Sequence, residues 1–243
     1  MTGLDGAILA AGEGSRFRAA GWTVPKPLVP VAGIPLIEHA IRHFLGAGVA
    51  SITVIVNEES LDVAAWVRDR FPSVGRESLV RTTRSSFESF QALMARARGA
   101  RTLVATVDAW CPDEDFARFV TVAREHPPEA TVLALTPLVA DERPLWARID
   151  ETGRVTELGG ESGDLVTAGI YLIPAHVRHL AAVTVASRLR EFLAALVASG
   201  EPVHGVVLPA VVDVDRPEDV ALAEALAGGA ISQPVTRASG SLG

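Results

Sequence analysis

One cysteine, one tyrosine and two methionines are all that the 243 residues contain of those types. A single cysteine, Cys111, excludes a disulfide within the chain, and it reads as a small packed residue, not a nucleophile. Aromatic residues make up only 5% of the chain. No apolar run reaches the roughly 18 residues that a membrane-spanning helix needs, and no charged-then-apolar leader is visible, which predicts a soluble, cytoplasmic protein. Positive charge is the scarcer sign: 22 lysines and arginines stand against 29 acidic residues, for a net charge of −7. Such a field repels nucleic acid and anionic membranes except at local basic pockets, so the expected partner is a small molecule. Six histidines show no metal-binding spacing. His39 and His43 lie four apart on one helix but lack a third ligand, and His176 and His179 read as surface residues. No internal repeat is present.

Apolar residues, in contrast, are abundant at 49%, with a mean hydropathy of +0.29. A chain of this length and composition buries a large core as one domain, placed at residues 1–227. From residue 228 to 243 no apolar period remains, and that tail is expected to be disordered. Between residues 31 and 227, helical periods alternate with short β-branched runs, the pattern of a βαβ protein with a largely parallel sheet. Strands are predicted at Ala7–Ala11, Ser51–Val56, Leu79–Thr82, Thr102–Val107, Thr131–Leu135, Gly169–Ile173, Val203–Leu208 and Val211–Val214. Helices are predicted at Pro35–Leu45, Leu61–Phe71, Phe87–Ala97, Phe116–Arg124, 175–181, 188–198 and Pro217–Ala227. The segments Trp146–Asp150 and Val155–Leu158 flank Glu151-Thr152-Gly153, a turn-rich tripeptide that predicts a hairpin. The segments named make ten strands, the two arms of the hairpin included, and seven helices.

Residues 6–31 carry most of the chemistry. The apolar run ends at Gly12-Glu13-Gly14, where glycines let the backbone turn sharply and present N–H groups to phosphate. Arg16 follows at once. Lys26 stands between Pro25 and Pro27, a flexible cation on a stiff backbone. A dinucleotide fingerprint is excluded because its third glycine would fall at Phe17, and a Walker loop is excluded because no Gly-Lys-Ser/Thr follows. Asp108 ends a predicted strand, where ligands bind in open α/β sheets. Asp213 and Asp215 follow the last short strand, and two such carboxylates are hard oxygen ligands of the kind that suits Mg²⁺ beside phosphate. Asp215 also reads as the N-cap of the closing helix.

Leu9-Ala-Ala-Gly-Glu-Gly-Ser-Arg16, Pro25-Lys26-Pro27-Leu28 and Val31-x-Gly33-x-Pro35-Leu36 together resemble the signature of sugar-phosphate nucleotidyltransferases. Asp108, Gly169-Ile-Tyr171 and Val212-Asp-Val-Asp-Arg-Pro-Glu-Asp219 extend the resemblance more loosely along the chain. It implies a three-layer, Rossmann-like α/β fold of the GT-A kind, with a mixed but mostly parallel central sheet and a small β-hairpin insertion. It also implies a reaction in which a phosphorylated acceptor, typically a sugar 1-phosphate, attacks the α-phosphate of a nucleoside triphosphate and displaces pyrophosphate. Under that resemblance Leu9, Ala10, Ala11, Gly12, Glu13, Gly14 and Ser15 bind the nucleotide, Arg16 and Lys26 are catalytic, and Asp108 and Asp213 hold Mg²⁺, with Asp215 as the alternative to Asp213. Gly169 and Tyr171 lie under the acceptor, and Glu161, in a glycine-rich loop that is either a lid or a solvent loop, binds its hydroxyl groups. Trp22 could pack over the nucleotide, and Trp146 and Arg148 could meet the acceptor. Substituting Lys26 by alanine is then expected to lower turnover by orders of magnitude and leave the fold nearly intact.

The sequence departs from the family pattern at several places. Val107 stands where a glycine is usual before the aspartate, Trp110-Cys111 follow it, and Thr82-Thr-Arg-Ser-Ser-Phe-Glu-Ser89 replaces a Gly-Thr-Ala-like base-binding segment. Ser85 and Ser86 therefore either bind base or ribose or cap the helix that follows. A cytidylyltransferase acting on a non-sugar phosphate or phosphonate is the first alternative, and a catalytically silent nucleotide-binding regulator, which the intact Arg16, Lys26, Asp108 and Asp213 disfavour, is the second.

Overall fold

A computed structural model describes residues 3–139 and 143–229. Strand β1 (Asp5–Ala10) opens the chain, and the glycine turn leads into a short helix, α1 (Ser15–Ala19). A 3-10 turn at Lys26–Leu28 is followed by a small hairpin, β2 (Pro30–Val31) and β3 (Ile34–Pro35). Helix α2 (Leu36–Gly46), β4 (Ser51–Val56), α3 (Leu61–Arg70), α4 (Pro72–Gly75), β5 (Leu79–Val80) and α5 (Ser86–Met94) complete the first half. The second half runs β6 (Arg101–Thr106), β7 (Ala109–Trp110), α6 (Asp113–Glu125) and β8 (Thr131–Thr136), then the predicted hairpin, β9 (Trp146–Ile149) with β10 (Val155–Leu158). It closes with β11 (Leu165–Pro174), α7 (Ala175–Val183), α8 (Leu189–Ala198), β12 (Val203–Val207), β13 (Val212–Asp213) and α9 (Pro217–Ala227).

Among the described residues there are thus 13 strands and 9 helices, against the ten and seven expected. The surplus strands are β2, β3 and β7, two residues each and too short to show a period; with β13, which falls within the predicted Val211–Val214, they lie outside the main sheet, which itself has nine strands. The extra helices are α1 and α4, of five and four residues. The tail expected to be disordered falls, from residue 230, outside the described residues.

The main sheet runs β10-β9-β11-β6-β1-β4-β5, with β8 on β11 and β12 on β8. Strands β6, β1, β4 and β5 are mutually parallel, and β12 is parallel to β8. Strand β11 is antiparallel to β6, β8 and β9, and β10 is antiparallel to β9. Only β11 and β10 therefore run against the common direction. The hairpin is not a separate appendage: its β9 pairs with β11 and lengthens the central sheet.

Alternate residues of β1 divide the core as a strand buried on both faces must. Ile8 and Ala10 join a cluster with α2, α3, α6 and α9, while Ala7 and Leu9 join one with α5, α7 and α8. The second cluster centres on Phe87, Phe90 and Phe192, whose ring centroids lie 5.0–6.3 Å apart. This is the expected three-layer α/β architecture. Its loops at the C-terminal ends of β1 and β6 carry the charged residues.

Candidate active site

At the end of β1 the chain turns through Gly14, which has φ of 62°. A Cβ there would meet the Lys26 Cβ at 2.9 Å, so glycine is required both by the left-handed backbone and by the approach of Lys26. The Pro25-Lys26-Pro27 segment is stiff as expected: the Leu28 N–H donates to the Pro25 carbonyl at 2.8 Å and the Val29 N–H to the Lys26 carbonyl at 3.1 Å. Lys26 is consequently held inward and is only 7% exposed.

The neighbouring strand β6 delivers Asp108. Leu9 and Thr106 are register partners, and the Val107 N–H donates to the Leu9 carbonyl at 2.9 Å. Val107 is itself buried in the core beneath the site, in the place where a glycine was the familiar residue. Two short strands then bring in the far end of the chain. Strand β13 pairs with β7, with Asp213 opposite Ala109, and the Val214 N–H donates to the Asp108 carbonyl at 3.0 Å. Carboxylate oxygens of Asp108, Asp213 and Asp215 all fall within 4.8 Å of one another.

Lys26 Nζ donates to Asp108 Oδ2 at 2.5 Å and also to Asp215, whose other oxygen accepts from Arg16. Burial alone would pull the ammonium of Lys26 down, but Asp108, Asp215 and Asp213 outweigh it and hold its pKa above the ordinary lysine value. For Asp108, burial pushes the other way, yet the Lys26 charge and hydrogen bonds from Lys26 and Thr106 hold its carboxyl below the usual carboxylate value. Lysine is therefore charged and Asp108 ionised throughout the neutral range. Asp215 is not the cap of α9. The N-cap is Arg216, and the Asp219 carboxylate accepts the backbone N–H groups of Asp215 and Arg216, which leaves the Asp215 side chain to face the two cations.

A cavity of about 200 Å³ opens beside Asp108 and Asp213. Gly169 and Tyr171 line it. Burial, then the charges of Asp108 and Asp213, raise the Tyr171 phenol, so its hydroxyl stays protonated and can donate. Gly169 has φ of 70°, and a Cβ there would lie 2.5 Å from Thr106 Oγ1. Sequence reasoning missed Arg190, Thr106, Thr136 and Thr167, which also line the cavity. Thr106 could have been found, since it shares a strand face with Leu9 two residues before Asp108. Arg190 enters only because α8 packs against α5, where the Ser86 hydroxyl accepts the Leu189 N–H at 3.1 Å.

The remaining expected residues scatter. Ser86 lines the cavity, not the β1 loop, while Ser85 is the N-cap of α5 and accepts the Glu88 N–H at 3.2 Å. Leu9 and Ala10 are buried; Gly12, Glu13 and Ser15 are exposed on the loop, with Ala11 and Gly14 half-buried. Glu161 is exposed and outside the cavity lining. Trp22 packs on Phe17 with centroids 5.2 Å apart, and Arg148 pairs with Glu157 across the hairpin at 3.1 Å. Cys111 is buried, and burial pushes its thiol up, which suits the inert reading. His43 is buried between α2 and α6, and His176 and His179 are exposed.

An α/β sheet with a phosphate-type turn, paired cations and a carboxylate cluster at its strand ends defines a class of nucleotide-handling enzyme. Residues 6–203 match the MobA-like NTP transferase domain, and the chain belongs to that family. A bifunctional IPC transferase and DIPP synthase from Rubrobacter xylanophilus is 31% identical over 231 residues, covering 91% of this chain and 51% of that protein. A 2-aminoethylphosphonate cytidylyltransferase from Lancefieldella rimae is 39% identical over 67 residues, 28% of this chain and 27% of that one. The chain spans about half, or less, of the length of the curated relatives it matches. Among solved structures, the inositol-1-phosphate CTP transferase from T. maritima superposes with a TM-score of 0.77 at 17% identity, covering 96% of this chain and 100% of that one.

Proposed function

We propose that the chain transfers a nucleotidyl group from a nucleoside triphosphate to the phosphate or phosphonate of a small polar acceptor, with magnesium bound beside Asp108 and release of pyrophosphate. The observation that carries this reading is the convergence of Arg16, Lys26, Asp108, Asp213 and Asp215, from opposite ends of the chain, at the mouth of the cavity. Three carboxylates within 4.8 Å are hard oxygen donors and fit a divalent cation. Asp108 and Asp213, the two that line the cavity, would hold it, since Asp215 is engaged by both cations. Bound there, the ion neutralises charge on the reacting phosphate oxygens.

In the reaction an acceptor oxygen forms a bond to the α-phosphorus while the bond to the pyrophosphate oxygen breaks. The acceptor is already anionic at neutral pH, so no general base is needed, and positioning with electrostatic stabilisation supplies the rate. The N–H groups of Gly12 to Ser15 cradle the triphosphate along the ends of Leu9, Ala10 and Ala11. Lys26 moves from carboxylate to phosphate oxygens and spans the attacking and α-phosphates. Arg16, on the exposed side, faces the leaving pyrophosphate. Tyr171, Arg190 and the threonine hydroxyls meet the acceptor over the floor that Gly169 leaves open.

CTP as donor and a non-sugar acceptor are favoured over a sugar 1-phosphate. The inositol-1-phosphate CTP transferase and the 2-aminoethylphosphonate cytidylyltransferase among the similar proteins support this. The test is pyrophosphate release by purified protein with Mg²⁺, each of the four ribonucleoside triphosphates, and inositol 1-phosphate, 2-aminoethylphosphonate or glucose 1-phosphate. Turnover is expected with CTP and one of the first two. Turnover only with glucose 1-phosphate would return the acceptor to the sugar class, and silence across the panel would remove the catalytic reading.

A further inference from the structure

At the far end of β6 from Asp108, a buried arginine stands without a counter-ion. Arg178, on α7, is 8% exposed, and its Nη1 donates to the Gly99 carbonyl at 2.6 Å and to Thr102 Oγ1 at 3.0 Å. Both acceptors are neutral. Among the described residues no carboxylate lies within 4.0 Å of the guanidinium, and its Nη2 and Nε have no acceptor. The charge of Asp5 reaches Arg178, but its oxygens accept the backbone N–H groups of Arg98 and Gly99 and the Ser51 hydroxyl. Burial pulls the Arg178 pKa down against Asp5, and the like charge of Arg98 adds to the pull. An arginine keeps its proton even so, and a buried cation without a paired anion is costly.

Arg178 and Arg98 line a second cavity, of about 180 Å³, between the end of α5 and α7, and no acidic residue borders it. The rest of the lining offers few donors. Gln91 spends its amide N–H groups on the Ala181 and Thr184 carbonyls, Met94, Ala95, Ala97 and Ala182 present thioether and methyl surface, and the exposed His179 completes the wall. A tetrahedral phosphate would leave oxygens against that hydrocarbon. A planar carboxylate instead meets a guanidinium edge with both oxygens and turns its stem toward the apolar wall. We propose that this cavity binds a small carboxylic acid, its carboxylate held between Arg178 and Arg98 and its apolar body against Met94. The volume suits a short aliphatic or single-ring acid. This cavity shares no lining residue with the one beside Asp108, and the inference does not depend on the proposed function.

The chain has two methionines, Met1 and Met94, so a ¹³C-methyl methionine spectrum of the full chain carries a reporter inside the cavity, assigned with Met94→Leu. Butyrate and benzoate are titrated in, with butyramide and benzamide as uncharged counterparts and inorganic phosphate as a competing anion. At least one of the two acids is expected to shift the Met94 signal saturably, while the amides and phosphate leave it in place. Arg98→Gln, a change at an exposed side chain, should weaken that binding about tenfold or more, the loss of one charge-assisted hydrogen bond. Arg178→Lys keeps the charge but loses the fork, and should weaken binding as well. Should Arg178→Lys fail to fold, as a melting curve would show, Arg98→Gln carries the comparison. No saturable shift with either acid overturns the inference. So does an equal shift by the amides, which would make the cavity merely apolar, or by phosphate, which would make it a general anion site. An Arg98→Gln chain that binds the acid as the wild type does overturns it too. The readout needs no turnover, so silence in the pyrophosphate assay would remove the functional reading and leave this one standing.

Discussion

Lys26 is the only lysine in the chain; every other basic side chain is an arginine or a histidine. A compact ammonium on a flexible stem can turn between carboxylate and phosphate partners where a planar guanidinium cannot. At 7% exposure, with Gly14 against its Cβ, the position also has little room for the larger group. Lys26→Ala and Lys26→Arg are both expected to lower kcat by about 10²–10³, the usual loss for one stabilising donor of a transition state. The structure revises the companion expectation that the fold stays nearly intact. Without the ammonium, Asp108, Asp213 and Asp215 face one another within 4.8 Å. The loss should be about 1–3 kcal/mol, less than for a fully buried pair because water reaches the carboxylates, and a thermal melt of Lys26→Ala checks it. Arg16, Lys26, Asp108 and Asp213 were legible because each sits in, or at the end of, a contiguous motif. Arg190 and Thr106 were not, since their place in the cavity depends on helix packing and strand register, which no local pattern encodes.

At the scale of elements, the turn after β1 and the short sheet β7–β13 do the assembling. Gly14→Ala should place a methyl into the Lys26 side chain and force a left-handed backbone that costs an L-residue about 1–2 kcal/mol. Turnover is expected to fall further than that stability loss explains, as kinetics beside a melting curve would show. The α2–α6 contact makes a pH prediction. His43 is buried there, stacked on Phe116 at 4.4 Å, and its Nε2 lies 2.9 Å from Asp113 Oδ1. Burial, against the pull of Asp113, holds its pKa below the ordinary 6.5. The unfolded chain therefore takes up a proton before the folded one, so stability present above about pH 6.5 is lost as pH falls through and below it. His43→Gln should flatten that slope in melts between neutral and mildly acid pH, leaving the share due to His126, which is shifted the same way. The long strands and amphipathic helices were legible from period and caps: β4 and α9 begin and end where the sequence placed them. The two-residue strands β2, β3 and β7 have no period to read, whereas β5 and β13 sit inside short apolar runs that the sequence marks. Asp215 was misread as a cap because an aspartate before Arg-Pro suits that role locally, whereas its ion pairs span 189 and 199 residues.

At the scale of the whole molecule, the sheet order gathers residues from both ends of the chain to one edge of the central strands. The alternation of helix and strand announced the α/β class and the three layers. It could not announce that β11 reverses direction between β6 and β8, because strand direction is settled by which partners a strand can reach when the sheet closes. The clasp in which Asp215 holds Arg16 and Lys26 has a consequence for traffic through the site. An anion that arrives alone must break both ion pairs and leave a third carboxylate stranded, while one escorted by a divalent ion brings the positive charge that Asp215 would lose. Stray inorganic phosphate is thus turned away by the protein's own counter-ion. Phosphate without metal should leave the melting temperature of the wild-type chain unmoved and raise that of Asp215→Asn, which loses the carboxylate shared by Arg16 and Lys26 while Lys26 keeps its bond to Asp108.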